Sequence, residues 1–105
     1  MNYEEIKQSI YNYLVSRGFT QHDDIFVLER NRVVQTMVIN GQPQQRKQKY
    51  KLTLACLGEG WIQDSNHPTK EESEILIGWK LIDNDSNIGD FWFRDLEEFT
   101  NTLKF

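Results

Sequence analysis

Between Arg46 and Leu57 the chain reads RKQKYKLTLACL, and the alternation in its second half has the two-residue period of a strand. Tyr50, Leu52, Leu54 and Cys56 fall on one side, and Lys51, Thr53, Ala55 and Leu57 on the other. The first half is polar and carries four of the chain's twelve basic residues, Arg46, Lys47, Lys49 and Lys51. The expectation is a central structural strand from Tyr50 onward, entered through a basic segment.

The elements around that strand follow from local signals. Asn2 to Arg17 carries Ile6, Ile10, Tyr13 and Leu14 at helical spacing. Asn2 and Glu5 form a pair suited to cap its start, and Gly18 suits the left-handed residue that ends it. Thr20 to Asp24 reads as a polar connection. Ile25 to Arg30 and Arg32 to Asn40 read as two strands with a tight turn over Glu29 to Arg32, one long bent strand being the alternative. Asn40-Gly41 predicts a type I′ hairpin, because both residues tolerate positive φ. Pro43 then lacks a backbone donor, so the polar run Gln42 to Gln48 is expected as an extended hairpin arm.

Beyond Leu57, the Gly58-Glu59-Gly60 triplet is expected to end the strand, with Trp61 and Ile62 starting a short one. Gln63 to Ser73 reads as a loop, in which Thr69 and Glu72 match a capping box. Ile75 to Ile82 and Gly89 to Arg94 read as strands joined by a turn over Asp83 to Asn87. Asp95 and Glu98 cap a last helix with Leu96, Phe99 and Leu103 on its apolar side. The order predicts a single α+β domain over residues 1–105: an N-terminal helix, an antiparallel sheet of four to five strands and a C-terminal helix, both helices packed on one sheet face.

Composition narrows the functional classes. With 38% hydrophobic and 27% charged residues, the 105-residue chain has the content of a globular domain. Its apolar runs are far shorter than the ~20 residues that span a bilayer, and its acidic N-terminus is unlike a signal peptide. A cytoplasmic protein without membrane contact is the expectation. Cys56, the single cysteine, is expected as a small buried hydrophobe and permits no intrachain disulfide.

No catalytic constellation emerges. His22 and His67 lie in polar loops, and no nucleophile, base and orienting group come together. The turn Asp83 to Asp90 begins like a calcium loop, but Ile88 stands where a glycine is needed and Arg94 where a bidentate acid is needed. No enzyme activity, metal or cofactor is expected. The candidate site is instead a contact surface: Arg30, Arg32, Arg46, Lys47, Lys49 and Lys51 on the hairpin, and Trp92, which faces away from Phe91 and Phe93.

The expected function is that of a small protein-binding module, such as an adaptor, inhibitor or immunity-type protein, using a sheet face or the basic hairpin edge. Its partner would be another protein, a second copy of the chain being one option. The alternative is nucleic-acid binding through the basic hairpin 30–51, with Tyr50 available for stacking. A pI near 5.1 and the acidic start of the last helix at Asp95, Glu97 and Glu98 weigh against that alternative.

Overall fold

The computed structural model describes residues 2–62 and 74–105. Its elements run α1 (Tyr3–Ser16), β1 (Thr20–His22), β2 (Ile25–Ile39), β3 (Gln42–Trp61), β4 (Ile75–Asp83), β5 (Ser86–Phe93) and α2 (Leu96–Thr102). The strands form one antiparallel sheet in the order β1-β2-β3-β4-β5, with β3 at its centre. The expected α+β architecture is the one observed.

Both helices start on the capping residues expected. The Asn2 side chain accepts the Glu5 N–H at 2.9 Å, and Asp95 accepts the Glu98 N–H at 2.9 Å. Gly18 takes φ 98°, and the Phe19 N–H turns back to the Leu14 carbonyl at 3.1 Å. This closes α1 and delivers Phe19 into the core.

The core lies between the two helices and one sheet face. Ile10, Phe26, Leu54, Ile77, Trp79 and Phe99 are fully buried there. Trp79 is its hub: Tyr11, Phe26 and Phe99 each meet it edge-on, with ring centroids 5.7 to 5.9 Å apart. Register explains the choice of face, since Phe26 pairs with Leu54 and Cys56 with Trp79 across neighbouring strands. The alternation read in Tyr50 to Cys56 therefore holds, with Leu54 buried and Leu52 and Cys56 packed against the core.

Four expectations are corrected. Thr20–His22 is not a loop but a short edge strand paired with Ile25–Val27. The turn expected over Glu29 to Arg32 does not exist, because β2 runs unbroken from Ile25 to Ile39. Its charges are met across the ladder instead of in a turn: Glu29 stands opposite Lys51, and the Arg32 guanidinium lies 4.4 Å from the Tyr50 ring centroid. Gly58 does not end β3. It takes φ 100° at a bulge between Cys56 and Gly58, which lets the strand continue to Trp61. The last turn is shorter than expected, only Asn84 and Asp85 standing between β4 and β5. The loop expected over Gln63 to Ser73, with His67 and the Thr69–Glu72 pair, lies outside the described residues.

Beyond Leu28 and Leu52 the sheet narrows to two strands. β1 reaches only Ile25–Val27, and β4 covers β3 from Leu52 onward. The outer parts of β2 and β3 therefore project as a twisted ribbon closed by Asn40 and Gly41, both at positive φ. Ten residues of strand, 30–39, give it a reach of roughly 33 Å. The molecule accordingly measures 68 × 25 × 22 Å, and its radius of gyration is 18.4 Å. A compact chain of this length would have about 13 Å.

Candidate contact surfaces

Residues 31–49 are exposed at every position, so the arm buries neither of its faces. Its strands nevertheless hold register, apart from one bulge between Val33 and Gln35. The neck is anchored to the body by the β4–β5 turn. Asn84, at φ 55°, accepts the Lys51 N–H through its side chain at 2.8 Å and donates its own N–H to the Lys51 carbonyl at 2.7 Å. Arg32 reaches back to Asp83, with Nη2 3.5 Å from Oδ1. The side-chain oxygen of Asn84 thus has a structural task at the arm's base.

The register splits the six cationic candidates in two. Arg30 pairs with Tyr50, Arg32 with Gln48 and Gln35 with Arg46, so the three arginines share the face that continues into the core side of the sheet. Lys47, Lys49 and Lys51 share the opposite face. Sequence proximity suggests one patch; the fold makes two, back to back on a thin ribbon.

Trp92 belongs to neither. It pairs with Gly78 near the middle of β4, five residues or roughly 17 Å along the strand from Asp83. It lies on the sheet face that neither helix covers. Its benzo ring rests on two glycines of neighbouring strands. A Cβ placed on Gly60 or Gly78 would come within 2.5 Å or 2.6 Å of that ring. The glycines are a seat for the indole, which stays 42% exposed.

The arm also carries apolar residues that the sequence reading did not include in the site. Val33, Val34, Met37, Val38 and Ile39 are all exposed, Val38 at 71%. A signal for them was present: Gln42 to Lys51 contains no aliphatic residue, so a strand pairing with it has no core to cover on that side.

Tyr11, Asp24 and Cys56 are joined by hydrogen bonds beneath α1. Tyr11 donates its hydroxyl to Asp24 at 2.6 Å, and the Asp24 carbonyl accepts the Cys56 N–H at 2.8 Å. Burial, then the neighbouring Cys56, pushes the Tyr3 phenol up to about 12. The Tyr11 phenol is raised too, by burial first and then by its bond to Asp24. Raised phenols add stability that is complete below their unfolded pKa of about 10 and is lost as pH climbs through the folded value. For Tyr3 that window is pH 10 to 12. Titrating phenolate absorbance alongside circular dichroism should show this part of the signal rising together with loss of structure; ionisation of all tyrosines near 10 in the folded state would contradict it.

Among the described residues no three His, Cys, Asp or Glu side chains stand together to hold a metal ion, and no helix is long and apolar enough to cross a membrane. No family model matches the chain, and neither do curated proteins or solved structures.

Proposed function

We propose that this chain is a small non-enzymatic binding module that presents its arm to an acidic surface of another protein, in a cytoplasmic setting. The arm's charge, placed on a projecting ribbon, carries the reading. From Glu29 to Lys51 there are six basic residues and one acid, a net of +5; the whole chain is −4, so the remainder carries −9. Such a dipolar molecule approaches an acidic partner arm first and keeps its body away, which raises association rates and fixes orientation. Trp92 offers a second, aromatic contact at the far end of the sheet.

One observation favours a second reading. Cations on both faces of a thin ribbon fit a surrounding that is negative on two sides, and the major groove, about 12 Å wide, admits a two-stranded ribbon between phosphate backbones. The net charge of the body opposes it.

Changing Lys47, Lys49 and Lys51 to glutamate separates the two. The triple variant is expected to keep its melting temperature within a few degrees, since all three side chains are exposed. It should associate with the protein partner isolated from the source cell ~10–100-fold more slowly. Neither form should bind a mixed-sequence DNA duplex at physiological salt. Duplex binding by the unmodified protein, falling steeply with salt and lost in the variant, would replace the leading reading by the second.

A further inference from the structure

The two outer edges of the arm are built differently. The free edge of β3, Gln42 to Lys51, carries Pro43, Arg46, Lys47, Lys49 and Lys51, the residues that keep an edge strand from pairing with another chain. The free edge of β2 has no such protection. From Val33 to Ile39 it reads VVQTMVI, seven residues with no charge and no proline, rich in β-branched side chains. No strand among the described residues pairs with this edge, because β1 stops opposite Val27. Past the bulge, Gln35–Ile39 is in regular register with β3, so its outward backbone groups form a regularly spaced template.

We propose that Gln35–Ile39 of β2 pairs antiparallel with the same segment of a second copy, giving a four-stranded ribbon in the order β3–β2–β2–β3. The inference rests on reading the arm as a protein-binding element, but uses its uncharged edge and leaves its cationic faces free. A second copy fits as the occupant because it offers the same uncharged segment, and the placement of charge permits the pairing. All four basic residues of β3 end up on the outermost strands, three strand spacings or roughly 14 Å apart, beyond the ~8 Å screening length at physiological salt. Arg30 and Arg32 lie toward the neck, so antiparallel pairing carries them away from their counterparts. The contact is isologous and closes at two, because the edges left outside are the guarded ones. It also gives a hairpin that is marginal by itself two more strands to pair with.

Sedimentation analysis of the full chain over a wide concentration range tests this. The expected result is a reversible dimer that tightens as salt is raised, because screening removes the residual repulsion between arms. Binding to an acidic partner would weaken with salt, so the two contacts have opposite signatures. Val38→Lys, which places like charges across the two-fold axis at a position 71% exposed, should weaken the dimer at least 10-fold while leaving the melting temperature of the dilute monomer unchanged. A monomer at every concentration, a dimer indifferent to Val38→Lys, or open-ended polymers would each overturn the proposal. A monomer that still binds its acidic partner through the lysine face would refute the dimer alone. A monomer whose partner binding ignores the lysine-to-glutamate changes would refute the proposed function as well.

Discussion

A single methyl group added at Gly78 is expected to lower stability by about 1–3 kcal/mol, because the new Cβ would stand 2.6 Å from the Trp92 ring. The backbone there cannot yield easily, since Gly78 is buried in a strand with neighbours on both sides. The indole must leave its seat instead, and roughly half the area a tryptophan covers returns to water. The same substitution in a Trp92→Ala background meets no ring. There the ordinary preference of a strand for alanine over glycine should make it neutral or stabilising by roughly 0.5–1 kcal/mol. The sign of the effect therefore reverses between the two backgrounds. Denaturant unfolding of the four proteins measures the coupling directly. Equal losses in both backgrounds would show that the ring does not rest on the glycines.

That cycle also decides what kind of residue Trp92 is. An exposed anchor and a core residue predict opposite results for Trp92→Ala, either lost association with an intact fold or lost stability. The structure assigns it part of each: one face held by Gly60 and Gly78, the rest of the ring open. A modest loss of stability from Trp92→Ala is the outcome consistent with both.

Much of this architecture was legible because local signals agreed with one another. Asn2, Gly18, Asn40-Gly41 and Asp95 each mark an element boundary through a backbone requirement that few other residues meet, and each is where the structure puts one. The failures have a common cause. Glu29 to Arg32 looks like a turn until Lys51, Tyr50 and Asp83 are placed around it, and those partners lie 18 or more positions away in sequence. Gly58 looks like a strand end, whereas its left-handed backbone supports a bulge whose purpose is set by β4. Long-range pairing decided both.

The candidate site was readable in composition but not in geometry. The six basic residues are where the sequence puts them, on a hairpin; what the sequence hides is that they face two ways. The alternation that separates Tyr50 from Lys51 also separates Arg46 from Lys47 and Lys49, but the side taken by Arg30 and Arg32 depends on β2 being continuous. The bulge between Val33 and Gln35 lies in β2, so it changes which residue stands opposite Arg46 but not the face that Arg46 takes. The apolar edge escaped notice for a related reason. Val33 to Ile39 resembles an ordinary core strand until its partner proves to have nothing to bury.

On the proposed function, the arm is a binding element borne on a body that does not need it. Removing Arg32 to Gln48 and joining Asn31 to Lys49 through a new Asn-Gly turn tests both halves at once, since Asn31 and Lys49 are already cross-strand partners. Among the described residues, none of the thirteen buried apolar residues of the core lies in the deleted stretch. The contacts of Arg32 with Tyr50 and Asp83 are lost, and exposed pairs of that kind are worth about 1 kcal/mol or less. The expected result is a shortened protein with native circular dichroism, a melting temperature lowered by no more than a few degrees and no measurable association with the partner. A shortened protein that is unfolded, or one that binds as tightly as the full chain, would contradict it.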